Sequence, residues 1–171
     1  MNFKPIFGFI AGAFLALNLN ASTIKKGELI VATEGTYSPY SFYDEKGELV
    51  GYDVDIAKAV AQKLNLKIEF LTAPWDAMLA AFDAGKADVV FNQVSINEDR
   101  KKKYDMSVPY TMPYPVIVVH KDNNDIKSFA DLKGKRSVHS VNSMWIPTVE
   151  KYGAKLVVAD SLSDQINLII T

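Results

Sequence analysis

The chain has 171 residues, 49% of them hydrophobic and 23% charged, with a net charge of −1. That balance supplies apolar material for a real core and excludes a disordered chain, while a charge near zero excludes a broad basic field for nucleic acid. Cysteine is absent, which excludes structural disulfides, thiol catalysis, thiolate metal sites and a lipid-modified N-terminal cysteine.

The first element in chain order is a leader. Residues 1–22, MNFKPIFGFIAGAFLALNLNAS, carry Lys4, an apolar stretch and small residues Ala21 and Ser22 near a cut, the pattern of a secretory signal peptide. An uncleaved anchor fits less well, because the apolar run is short for a bilayer and is broken by Asn18 and Asn20. A first lobe is expected over residues 23–117. Residues 29–34 read as a strand, and a hairpin follows with its turn at Glu45, Lys46 and Gly47. Asp53 reads as the cap of a helix in which Val54, Ala57, Ala61 and Leu64 recur at helical spacing. Residues 67–71 read as a second strand, 75–84 as a second helix ended by Gly85, and 87–94 (ADVVFNQV) as a strand covered on both faces. Strand and helix alternate, so the sheet is expected to be parallel.

The polar run SINEDR then exposes side chains at the carboxyl end of that strand, where open α/β sheets place their ligands. Asn97 is a fitting N-cap with Glu98 and Asp99 in the first turn, which puts Arg100 one turn in, pointing back over the strand end. Its planar fork suits a carboxylate, whereas Lys101, Lys102 and Lys103 read as a solvated basic face. The apolar run at 116–119 and the polar KDNNDIKS mark the crossing into a second lobe over residues 118–171. That lobe is expected to hold a helix near Phe129, a strand at 136–140, a helix at 144–152, a strand at 155–160, and a last helix opened by Ser161 and Asp164.

Four segments carry a resemblance: EGTYSPYSF (34–42), GELVGYDVDIAKAVAQKLNL (47–66), PWDAMLAAFDAGKADVVFNQVSINEDRKKKYDMSVPYT (74–111) and FADLKGKRSVHSVNSMW (129–145). On these the chain resembles the periplasmic amino-acid-binding receptors of ABC importers, solute-binding protein family 3, and among them the L-cystine-binding members. The resemblance implies an α/β, two-lobed type II periplasmic-binding-protein fold with parallel-rich sheets flanked by helices. It also implies that the second lobe is incomplete, the sequence being truncated at its carboxyl end. The implied partners are an amino acid and a membrane permease, with no cofactor, no metal and a monomeric state; the implied location is the periplasm.

Residue by residue, the resemblance places Arg100 on the ligand carboxylate, Gln93 and Ser95 on the ammonium and carboxylate, and Tyr37 and Trp75 along the side-chain pocket. Glu34 takes the acidic or polar position at the end of the first strand, and Asn92 lies beside it, in the pocket or just behind it. Ser143, opening the second-lobe helix, is expected to offer a hydroxyl and a backbone N–H to the same carboxylate, with Ser140 in the same set. Val141 and Asn142 precede Ser143 where relatives usually carry a glycine. Paired carboxylates at Asp53 and Asp55 are explained by capping and a helix surface, and His120 and His139 lack metal-ligand spacing.

Two other classes stay open. A periplasmic enzyme on the same scaffold, of the cyclohexadienyl dehydratase kind, needs an acid or base in the cleft, for which Glu34 is the placed candidate. A ligand-sensing domain of a signalling receptor needs a membrane span, and none follows within these residues.

Overall fold

A computed structural model describes residues 22–112 and 114–170. The segment read as a secretory leader lies outside the described residues except for Ser22.

The first lobe is organised by β1 (Glu28–Thr33), the middle strand of a parallel three-stranded sheet. The hairpin strands β2 (Thr36–Tyr37), β3 (Ser41–Tyr43) and β4 (Leu49–Val50) follow, then α1 (Tyr52–Lys63). β5 (Lys67–Thr72), α2 (Trp75–Asp83) and β6 (Val89–Val90) complete the sheet in the order β5-β1-β6. Successive β1 side chains point to opposite faces, and each face is covered. Leu29 and Val31 join Ala57 and Ala61 of α1, with Ile68, Phe70 and Val89 around them. Ala32 joins Met78 and Leu79 of α2, with Ile30, Phe82 and Val90. The apolar run of a strand buried on both sides is thus explained, and the parallel order matches the sequence reading.

Two differences follow from local chemistry. β6 is shorter than the eight residues expected, because beyond Phe91 the chain turns: Asn92 directs its side chain into a hydrogen-bond hub and Gln93 adopts φ +51°. α1 starts one residue before Asp53, and its N-cap is Gly51, which makes no side-chain cap bond. Gly51 is required there. Its φ is +126°, and a Cβ would fall 2.3 Å from the Tyr40 carbonyl oxygen. Asp53 is therefore no cap; it sits on the inward face of α1 with no exposed surface. Leu64, expected on that face, is 46% exposed.

A short helix α3 (Glu98–Lys103) follows, capped as expected by Asn97, whose Oδ1 accepts from the Arg100 N–H at 2.8 Å. Its lysines lie on the surface, Lys101 on Glu98, Lys102 on Asp99 and Lys103 on Asp83. The second lobe holds a 3₁₀ turn (Phe129–Leu132), β7 (Arg136–His139), α4 (Ile146–Lys151), β8 (Lys155–Val158) and α5 (Leu162–Ile170). β7 and β8 pair in parallel from Arg136–Lys155 to His139–Val158. Ser161 opens α5, accepting from the Asp164 N–H and donating to its carboxylate. α4 begins later than expected, at Ile146, because residues 141–145 form turns in which the Ser143 N–H donates to the Ser140 carbonyl.

Candidate functional site

The site forms where the first sheet's carboxyl ends meet α2 and α3. At its base is Asn92, 1% exposed, whose Oδ1 accepts from Thr33 Oγ1 at 3.0 Å, the Glu34 N–H at 2.9 Å and Ser41 Oγ at 3.2 Å. Its Nδ2 donates to Glu34 Oε2 at 2.7 Å. Every polar atom of this amide is engaged with the protein, so Asn92 fixes the first loop and orients Glu34 from behind. Burial raises the Glu34 carboxyl above its ordinary pKa, opposed by donors from Asn92 and the Trp75 backbone; the nearby charge of Asp76 pushes the same way as burial.

Trp75, opening α2, connects both halves of the charge pattern. Its backbone N–H lies near enough to the Glu34 carboxyl to favour the charged form, and the Arg100 guanidinium lies 5.4 Å from its ring centroid. Arg100 also donates from Nη1 to the Ser95 carbonyl at 2.9 Å, which aims the fork along the strand end. The guanidinium is half-buried, burial lowers its pKa, and no ion pair to a carboxylate reaches it among the described residues. A desolvated cation held in place by an aromatic face and a carbonyl is chemically suited to an anionic partner. The indole Nε1 of Trp75 is buried with no hydrogen-bond partner.

The Gln93 side chain is held within the chain. Its Nε2 donates to Asp53 Oδ1 at 2.6 Å and its Oε1 accepts from Thr111 Oγ1 at 2.7 Å, so both ends of the amide are occupied. Tyr110 completes the arrangement, donating to Asp53 Oδ1 at 3.1 Å, while Tyr52 donates to the Tyr110 carbonyl at 3.2 Å. Asp53 Oδ2 has no partner, and burial raises the Asp53 pKa against the pull of these donors. Sequence reasoning assigned Asp53 to capping and missed this group. The signal was present: Asp53, Ala57 and Ala61 recur every four residues, so the aspartate shares the helix's buried stripe.

Tyr37 stands beside Tyr40, ring centroids 5.1 Å apart, and burial raises its hydroxyl pKa. Tyr37, Gln93 and Ser95 line a cavity of about 1040 Å³ that reaches over to Ser137 and His139 and is walled further down by Met112, Tyr114 and Leu168. Glu34, Trp75 and Arg100 are not among the residues that line it. In the second lobe Ser140 is buried at the end of β7. The Ser143 hydroxyl lies 3.3 Å from His139 Nδ1 and accepts from the Trp145 N–H. The expectation that Ser143 opens a helix is corrected: the helix starts three residues later, and the nearest donors around Ser143 belong to a turn. Asn142 crosses to the first lobe, its Nδ2 2.5 Å and its backbone N–H 3.3 Å from Asp76 Oδ1.

Residues 29–170 match the family model described as bacterial extracellular solute-binding proteins, family 3. A probable amino-acid ABC transporter-binding protein of Haemophilus influenzae is 43% identical over 145 residues, covering 85% of this chain and 56% of that one. The L-cystine-binding protein TcyA of Bacillus subtilis is 43% identical over 153 residues, 89% of this chain and 57% of its own. An ancestral arginine-binding protein bound to glutamine superposes with a TM-score of 0.80 at 41% identity, over 85% of this chain and 65% of that one. The chain thus spans a little over half the length of these curated relatives.

Proposed function

The chain belongs to the bacterial extracellular solute-binding proteins, family 3, and from that membership we propose that it is the receptor half of an amino-acid importer. Its two lobes close on a polar α-amino acid, L-cystine or cysteine first among them, and the closed form is what an ABC permease in the membrane recognises. The location this requires is outside the cytoplasmic membrane, reached through the leader at 1–22.

The observation that carries the reading is Arg100. An arginine that is half-buried, stacked on Trp75, tied to the Ser95 carbonyl and without a carboxylate partner among the described residues supports a ligand carboxylate as its counter-charge. Trp75 and Tyr37 then flank the side chain of the ligand, and Glu34 supplies a carboxylate next to the Trp75 backbone. Cystine is favoured among amino acids by the relative named for binding it and by two aromatic surfaces able to cover the apolar disulfide-bearing stem of a side chain whose far end carries a second ammonium and carboxylate. Binding drives closure as a population shift, since only the closed arrangement offers both lobes to one ligand.

Isothermal titration of the full-length mature protein against the amino-acid set, with L-cystine and L-cysteine included, tests this. Saturable heat with L-cystine above the other amino acids is expected. Absence of binding by every amino acid would remove the receptor reading, and conversion of a cyclohexadienyl substrate with Glu34 required would replace it with the enzyme.

A further inference from the structure

The two hydrogen bonds from Asn142 to Asp76 join residues 66 apart in sequence and cross from the second lobe to the first. Their position is specific. Asp76 directly follows Trp75, the residue that carries the Arg100 guanidinium, and Asn142 directly precedes Ser143. Asp76 lies in the first turn of α2, where the helix start favours a negative charge, and one of its oxygens takes both donors. Asn142 is exposed and lies in a turn, so no packing requirement explains an amide there. A backbone N–H alone could make the 3.3 Å contact; only a side chain with a donor can make the other.

We propose that Asn142 and Asp76 form a latch that ties the second lobe to the start of α2, next to Trp75, and slows the release of whatever the two lobes hold. Asn142 is a positioning residue here: it touches the opposite lobe and acts on the ligand by holding the lobes together. The bond is charge-assisted yet lies at the solvent edge, so it biases the open–closed equilibrium modestly and leaves it reversible. An importer needs that balance, because a latch as strong as a buried ion pair would prevent delivery. The account of ligand release rests on the receptor reading above; the latch itself is a statement about lobe geometry.

The test separates the two. Residues 1–171 hold no cysteine; with any cysteine beyond residue 171 replaced by serine, spin labels attached after Lys58→Cys on α1 and Lys151→Cys on α4 report the lobe separation of the full-length protein, with and without L-cystine. Asn142→Gly and Asn142→Ala should both shift the distance distribution toward longer values and speed L-cystine dissociation about three- to tenfold, with little change in association rate. The exchange Asp76→Asn with Asn142→Asp keeps one donor and one acceptor and should restore both readouts. Unchanged distances in the single variants, or an exchange that fails to restore them, overturns the latch. If wild-type protein binds no amino acid, the receptor reading fails and the distance distributions decide the latch alone.

Discussion

Arg100 and Asp53 are two half- to fully buried charges that burial treats oppositely and the chain handles differently. Arg100 keeps its charge because an indole face and a carbonyl replace part of the water it loses. Arg100→Ala in the full-length protein should weaken amino-acid binding by about 2–5 kcal/mol, the range for truncating one member of a desolvated charge pair. Arg100→Lys should recover only part of it, since a point charge cannot engage both oxygens; near-native affinity of a folded Arg100→Ala protein removes the clamp. Asp53 is the reverse case. The start of α1 favours its negative charge, and Gln93 and Tyr110 donate to it, yet burial dominates and raises its pKa. The folded state therefore holds this proton more tightly than the unfolded chain does. Its contribution to stability is present below the ordinary carboxyl pKa and is lost as pH rises through the raised folded value. Asp53→Asn carries no charge at any pH, so its melting temperature relative to wild type should become more favourable from pH 4 to pH 8. A difference that stays constant across that range would show that Asp53 titrates normally.

At the scale of elements, three connections aim the site. Asn92 ties the ends of β1 and β3, the Asp53 group ties α1 to the residues just after β6 and to Tyr110 and Thr111, and Asn97 starts α3. α3 has only six residues, too few to be stable by propensity, and none of them is buried. Its cap thus has unusual weight. Asn97→Ala should cost about 1 kcal/mol, the usual value for losing an N-cap side chain. The same change should also reduce ligand affinity, because the Asn97 carboxamide holds the backbone of Arg100 itself. Asn97→Ser or Asn97→Asp, which preserve an acceptor, should rescue both. A variant that loses stability but keeps full affinity would mean that Arg100 is placed by Trp75 and Ser95 alone.

Across the whole molecule, the first lobe is closed around its sheet while apolar surface remains open along the crossing segment and α5. Val108, Met112, Tyr114 and Val116 are each more than three-quarters exposed, and Leu168 and Ile170 about half. Met112, Tyr114, Val116 and Leu168 share the wall of one cavity, so this surface is a connected patch larger than scattered apolar residues. The 171-residue chain should therefore enhance the fluorescence of anilinonaphthalene sulfonate under native conditions, and a form extended to the length of its relatives should do so much less. Equal dye binding by both would mean that the patch is not covered in the longer protein.

Much of this was legible without coordinates. The alternation of β-branched runs with helical spacing determined a parallel α/β lobe, the N-cap at Asn97 and the placement of Arg100 at a strand end, because these depend on near neighbours and on a period that the residues themselves carry. The capping residues at Ser161 and Asp164 and the hairpin turn at Gly47 are local in the same sense. Tertiary structure decided the rest. The partner of Gln93 is 40 residues away and that of Asn142 is 66 away, distances at which one-dimensional spacing holds no information. Whether a polar side chain faces a ligand or another part of the chain depends on which groups the fold brings within about 3 Å of it. For that reason Asp53 and Ser143 differ from their expected surroundings, Asp53 facing Gln93 and Tyr110 instead of capping α1 and Ser143 lying in a turn instead of opening a helix.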